Sequence, residues 1–352
     1  MQARLYQAKK EKKTIRQLDD KNLQLFRGRI IKEPSPEDID EIVDEYKHAN
    51  IDVVVAIGGG SVLDAGKAVS AMLPLKDKVI NYLEGIGTKS HPGYKLPFIA
   101  LPTTSGTGSE TTKNAVISKV GEGGFKKSLR HDNFIPDLAI VDPEFSLNCP
   151  SDITAASGMD AFSQLLESYL STHSNIMTDA LALAGIKRIK KSLLKAYINP
   201  LDIEAKADVA YAAMLSGICL ANAGLGLVHG FASSAGALID VPHGILCGRL
   251  VSIANKLTLE KLLNENPDSV AIKKYNLLAK LFTGKSFPSK QDGAKAFINF
   301  LEEYTNSFNL PGLGSYGMTE NLIDKIVEET SQKYNPVKLS SQQLSTLLLE
   351  SL

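Results

Sequence analysis

The sequence predicts an α/β domain with a mostly parallel sheet over residues 1–149, joined to an all-helical domain over residues 150–352. Three observations carry this expectation. At 352 residues the chain exceeds the ~250–300 at which single hydrophobic cores stop growing, so two domains are expected. Before Pro150, β-branched runs alternate with helical patterns, the rhythm of strand, crossover helix and strand that builds a parallel sheet. After Pro150 the chain is rich in Ala and Leu, with apolar positions at i, i+3 and i+4 and hardly a β-branched run.

Element by element, residues 4–24 mix Lys9, Lys10, Lys12, Lys13, Arg16 and Lys21 with Glu11, Asp19 and Asp20. This reads as a solvated surface helix; acidic neighbours dilute the alternative, a basic arm for nucleic acid. Ser35 caps, and Pro36 opens, an amphipathic helix over 37–49. Residues 51–57 form a strand that ends in Gly58-Gly59-Gly60-Ser61 and leads into a helix through Met72. Residues 96–101 and 138–141 read as further buried strands. Helices follow over 153–171, 175–199, 203–220 and 228–238, loops at 264–268 and 311–315, and a last helix over 339–352 that Ser340 or Ser341 starts.

Composition excludes several classes. Lys and Arg total 39 and balance 39 Asp and Glu, so no net field draws the chain to nucleic acid or an anionic membrane. Apolar residues at 43% and charged ones at 22% are globular rather than disordered composition. Cys149, Cys219 and Cys247 form no CxxC pair and read as reduced, mostly buried thiols of a cytoplasmic protein. The N-terminus runs into charged residues, and no apolar run reaches the ~20 residues of a membrane-spanning helix, so neither secretion nor membrane insertion is expected.

Two loops carry ligand-binding chemistry. Gly58-Gly59-Gly60-Ser61 lies between a strand and a helix, where backbone N–H groups and the helix dipole favour phosphate. Glycines let pyrophosphate approach without Cβ interference, and Ser61 adds a hydroxyl. The spacing is neither GxGxxG nor a P-loop, and a tight strand-to-helix turn is the plain alternative; three successive glycines exceed what a turn requires. The second loop, Pro102-Thr103-Thr104-Ser105-Gly106-Thr107-Gly108-Ser109-Glu110, also follows a strand and offers a second surface to a nucleotide. Alone, it would read as a polar surface loop.

A third constellation points to a metal. His229 and His243 stand fourteen positions apart in apolar, Gly-rich surroundings, and Asp160 supplies an acidic partner upstream, near the start of its helix. A carboxylate with two imidazoles suits Fe(II) or Zn(II) better than Mg or Ca. His229 falls on an apolar helix and His243 in a loop; either histidine alone would more often be a core residue, and only the set makes a site. Gln164, four residues after Asp160 on the same face, is a weak fourth candidate. His48, His91, His131 and His173 sit among polar neighbours and read as surface residues.

With these motifs in order, the chain resembles the iron-dependent (group III) alcohol dehydrogenase family, of the dehydroquinate synthase-like superfamily. The carriers are residues 58–67, residues 102–110, Val141-Asp142-Pro143, Gly158-Met159-Asp160-Ala161 and Pro242-His243-Gly244, a specific ordered set. The resemblance implies a dehydroquinate synthase-like fold and a metal-dependent oxidoreductase that moves hydride between a small alcohol or diol, or its aldehyde or ketone, and NAD or NADP. It implies Asp160, His229 and His243 as ligands of Fe(II) or Zn(II), acting in catalysis through the metal, and Gly59, Gly60, Ser61, Asp64, Thr103, Thr104, Thr107, Asn114 and Lys127 as cofactor-binding. A homodimer is also implied.

Three departures stand out against that family. Gln164 occupies a place that alcohol dehydrogenases of this family usually give to histidine, and an amide oxygen is a weaker ligand than imidazole. Three protein ligands and an open position still make a catalytic site. Ser233, four residues after His229, replaces another frequent histidine near the substrate, which leaves water, Ser233 or a cofactor hydroxyl to take the proton. Residues 1–33 lack the usual opening strand that helps hold the adenosine ribose. The departures define a second expectation, a noncatalytic relative that binds nucleotide or a partner. A lyase like dehydroquinate synthase would need a basic cluster around a phosphate, which the metal motifs lack.

Overall fold

The computed structural model describes residues 13, 14, 16, 17, 21, 23–147 and 149–352. Most of the basic stretch expected as a surface helix lies outside these residues, and residues 23–31 have no regular structure. Helix α1 (Pro36–Tyr46) begins as expected, with Ser35 accepting from Asp38 N and the Asp38 carboxylate accepting from Ser35 N, a reciprocal cap. Strand β1 (Val54–Gly58) runs into helix α2 (Gly60–Met72), whose N-cap is Gly59.

Strand β2 (Phe98–Pro102) pairs in parallel with β1, with Val54 opposite Phe98 and Gly58 opposite Pro102. A hairpin that the sequence reading did not single out follows, β3 (Asn114–Lys119) antiparallel to β4 (Phe125–Arg130). Its mixed polar composition hides it: Phe125-Lys126-Lys127-Ser128-Leu129-Arg130 alternates sides without a β-branched residue. Strand β5 (Leu138–Ala139) completes a parallel sheet of order β1-β2-β5.

Two burial expectations are corrected. The strands are not buried on both faces: Val53 and Val55 are each 42% exposed, and Leu138 and Ile140 are 49% and 39% exposed. Helix α2 covers one face through Leu63, packed with Ala56, Phe98 and Ala100, and no described element covers the other to the same depth. His91 is buried rather than on the surface. It lies 3.2 Å from Ala71 O through Nε2, accepts from Gly93 N at Nδ1, and packs edge-on to Tyr82 and Phe134. A ring that can satisfy both nitrogens locally loses little on burial.

The remaining chain is helical: α3 (Ser151–Leu170), α4 (Ile176–Ile198), α5 (Ile203–Ala223), α6 (Leu227–Leu238), α7 (His243–Glu265), α8 (Val270–Thr283), α9 (Lys290–Asn306), α10 (Glu320–Glu329) and α11 (Ser341–Leu349), the last capped by Ser340. Helix α3 is the spine, buried through Phe162, Leu165, Leu166 and Tyr169 in one large core. Among the described residues no single helix is long and apolar enough to cross a membrane. The loop after β2 docks on this half: Ser216 Oγ reaches Gly106 O, and Thr111 Oγ1 donates to Met214 O at 3.1 Å.

Candidate metal centre and nucleotide loops

Three helices aim side chains at one point. On α3, Asp160, Gln164 and Glu167 follow one face at i, i+4 and i+7, and all three are buried. Asp160 lies in the middle of that helix rather than near its start. Helix α6 leaves α5 at a bend of 96°, which turns His229, in its first turn, back toward α3. His243 is the first residue of α7 rather than part of a loop, with Pro242 as N-cap. A Cβ on Gly244 would stand 2.1 Å from Ala156 O, so only glycine lets this first turn press against α3.

The result is a tight cluster. His229 Nε2 lies 3.3 Å and His243 Nε2 3.4 Å from Asp160 Oδ1. Cys247, one turn after His243, places Sγ 3.7 Å from both Nε2 atoms. One donor atom from each of the four residues lies within 4.8 Å of all the others.

Second contacts orient the rings. Glu167 accepts from His229 Nδ1 at 2.6 Å and from Val228 N at 2.6 Å. That places the Nδ1 proton on the outer side and turns Nε2 inward, the carboxylate–histidine arrangement common behind metal ligands. His243 Nδ1 is buried without a hydrogen-bond partner among the described residues.

The cluster is also electrostatically coupled. Burial opposes charge on Asp160, but His243 and His229 beside it hold its carboxyl below the usual range. Burial likewise opposes the charged imidazoles, yet Cys247 and Asp160 raise His229 well above, and His243 above, the ordinary value. Facing them, the Cys247 thiol is lowered against the pull of burial. Such a set fits a soft-to-borderline divalent cation, because carboxylate, imidazole and thiolate are the donors Zn(II) and Fe(II) accept.

Gln164 turns away from the ligand role the sequence allowed it. Its amide nitrogen donates to Asp160 Oδ1 at 3.1 Å, and its oxygen, the atom that would ligate, accepts from Ser216 Oγ at 2.7 Å. Ser233 is exposed and donates to Lys126 O at 3.4 Å, joining α6 to β4.

The loops after β1 and β2 touch each other. Gly59 caps α2 without a side-chain bond, leaving the helix N-terminus to the backbone. Thr104 lies over Gly59 and Thr107 over Gly60, where a Cβ would stand 2.5 Å from Thr107 Cγ2. Ser61 is half-buried in the first turn of α2. Thr103 is buried, and its N–H donates to Gly58 O at 2.9 Å, tying the two loops together.

The remaining expected cofactor residues, Asp64, Asn114 and Lys127, lie on α2, β3 and β4. Asp64 is buried and accepts from Ser109 Oγ and from Val116 N. Asn114 accepts at its carbonyl from Lys67 Nζ, 2.8 Å away. Lys127 is exposed on the hairpin face toward Gly85, whereas the neighbouring Lys126 turns inward, pairs with Glu33 and acts electrostatically on His243. Adjacent strand residues face opposite ways, so Lys126 is the lysine on the metal side.

Sequence reasoning missed Cys247, Glu167, Lys126 and Lys67. The signals were spacings: Cys247 follows His243 by one helical turn, and Glu167 follows Asp160 by two. Lys67 lies too far from the glycines for a P-loop. It is fully buried and reaches Ser109 O, Ser109 Oγ, Thr112 Oγ1 and Asn114 O, bracing the second loop from beneath.

Comparison with known proteins agrees with this architecture. Residues 2–143 match the iron-containing alcohol dehydrogenase family and residues 154–352 match the Fe-containing alcohol dehydrogenase family, C-terminal. The chain is 32% identical over 327 residues to the NAD-dependent methanol dehydrogenase of Bacillus methanolicus, covering 91% of this chain and 83% of that protein. The iron-containing alcohol dehydrogenase of Thermococcus thioreducens superposes with a TM-score of 0.81 at 27% identity, over 95% of this chain and 86% of that one. Sulfoacetaldehyde reductase of Bifidobacterium kashiwanohense, solved with NAD+, gives 0.74 at 27% identity over 92% and 82%. The chain therefore belongs to the iron-containing alcohol dehydrogenase family, with its dehydroquinate synthase-like fold and its metal-dependent, NAD(P)-linked oxidoreduction of alcohols.

Proposed function

We propose that a divalent cation, Fe(II) or Zn(II), is held by Asp160, His229 and His243, and that the pyrophosphate of NAD(P) lies on the N-terminus of α2 between Gly59-Gly60-Ser61 and Thr104 and Thr107. The substrate is a small alcohol or diol, or the matching aldehyde or ketone. The convergence of one carboxylate and two imidazole nitrogens from three helices carries this reading.

Bound there, a cation would lower the pKa of an alcohol and polarise a carbonyl, and a nicotinamide dinucleotide would supply the hydride chemistry. The chain supplies position. Glu167 holds the His229 ring, Lys67 and Asp64 hold the loop after β2, and Lys126 sets a positive charge beside His243. With serine at 233 bound to Lys126 O, the alcohol proton leaves through water or a cofactor hydroxyl. NAD is the favoured dinucleotide, supported by the NAD-dependent methanol dehydrogenase relative and the NAD+-bound structural neighbour.

The same reading places the domain boundary near residue 149. It makes the enzyme cytoplasmic, in keeping with three free cysteines, and a homodimer, which sedimentation checks. The noncatalytic alternative rested on Gln164, Ser233 and residues 1–33, most of the first 22 of which lie outside the described residues; Gln164 donates to Asp160 while both histidines stay within 3.4 Å of that carboxylate, and Ser233 bonds to Lys126 O. Metal analysis together with NAD(P)H formation over an alcohol panel tests the proposal. Bound metal with cofactor reduction that a chelator abolishes is expected; no metal and no reduction under Fe or Zn overturns it.

A further inference from the structure

We infer that Cys247 is a fourth, thiolate donor to the cation, so that the site is an aspartate, two histidines and a cysteine; this rests on the metal reading above. His243 opens α7 and Cys247 follows one turn later, so a helix segment offers both on one face. Cys247 is fully buried, and its sulfur faces two ring nitrogens. A buried cysteine acting as a small apolar residue would turn its sulfur toward aliphatic neighbours instead.

The spacing matches a coordination shell. With bonds of ~2.0–2.1 Å to nitrogen and oxygen and ~2.3 Å to sulfur, tetrahedral angles set N and O ~3.4 Å apart and N and S ~3.6 Å apart. The corresponding separations are 3.3 and 3.4 Å for the imidazoles to Asp160, and 3.7 Å twice for Cys247. Gln164, the other fourth candidate, has its oxygen engaged by Ser216. On coordination the thiol would lose its proton to solvent and the cation would take the place of hydrogen on sulfur. Catalytic zinc reaches five-coordination, so a fourth protein donor is compatible with substrate binding. The consequence is selectivity: thiolate shifts the site toward Zn(II) and away from Mg(II) or Mn(II).

The full chain, loaded separately with Zn(II) and Co(II), tests this by X-ray absorption and near-ultraviolet spectroscopy on the wild type, Cys247→Ser and Gln164→Leu. Wild type is expected to show one sulfur scatterer at ~2.3 Å and a thiolate-to-cobalt charge-transfer band. Gln164→Leu keeps both; Cys247→Ser loses both and binds zinc about tenfold or more weakly. Wild-type metal bound with only nitrogen and oxygen scatterers overturns the inference and leaves the three-ligand reading standing. A wild type that takes up no metal overturns both. The wild-type spectra decide the matter even if a variant fails to fold.

Discussion

The loops proposed for the nucleotide present backbone and short side chains at the ends of β1 and β2, whereas the candidate metal cluster gathers the tips of side chains from α3, α6 and α7. The first arrangement needs a rigid base, and Lys67 with Asp64 provides it from below. The second needs three helices in register, and the α3 core with the Gly244 contact provides that. Damage to one base should therefore leave the other side working, and the variants that follow are arranged to separate them.

Lys67→Met should have the largest effect. It removes the positive charge 4.0 Å from Asp64 and four hydrogen bonds beneath the loop, and breaking a buried charged pair costs about 3–5 kcal/mol. Thermal unfolding should shift down and NADH affinity, read by fluorescence, should fall steeply. Metal content of the folded fraction should stay near wild type; equal loss of metal would dissolve the proposed independence of the two sides.

Glu167→Gln should act on the other side. It weakens the hydrogen bond that holds His229, and loss of such an outer-shell carboxylate lowers metal affinity about 10–100-fold. Chelator competition measures that loss, while NADH titration of the apoprotein should be unchanged.

These two sides also differ in how well the sequence displays them. The glycine and hydroxyl loops are contiguous, so their chemistry and their place at strand ends could be read directly, and Ser35 with Pro36 marked the helix start it forms. Metal ligands come from distant positions, so no single histidine or carboxylate marked the site, and only Asp160, His229 and His243 taken together pointed to a metal. Cys247 escaped because one helical turn from His243 becomes meaningful only once His243 is known to open a helix. Lys126 was displaced by Lys127 because no strand was expected there, and without a strand there is no alternation to tell neighbours apart.

Gly60→Ala probes the nucleotide loop more gently than Lys67. The added methyl meets Thr107 at 2.5 Å, so either Thr107 or the start of α2 must shift, at the place proposed for pyrophosphate. NADH affinity should fall about tenfold, equivalent to ~1.4 kcal/mol, with little change in unfolding temperature. An unchanged affinity would move the phosphate site away from α2.

Glu110 gives the smallest effect and a pH signature confined to the nucleotide side. It is buried beside Lys67 and Asp64, and burial pushes its carboxyl up to about 7 from 4.5. The folded state then keeps a proton that the unfolded chain releases, so the unfolded chain binds fewer protons and stability falls as pH rises from about 4.5 to 7. Linkage puts the loss at about 1 kcal/mol between pH 5 and pH 6. Glu110→Gln keeps the shape and stays neutral, so the stability difference between variant and wild type should grow in the variant's favour over that interval, as measured by denaturant titration. A difference that stays flat, or shrinks with rising pH, would mean Glu110 is ionised in its pocket, with Lys67 serving as its counter-ion rather than only as the prop of the loop.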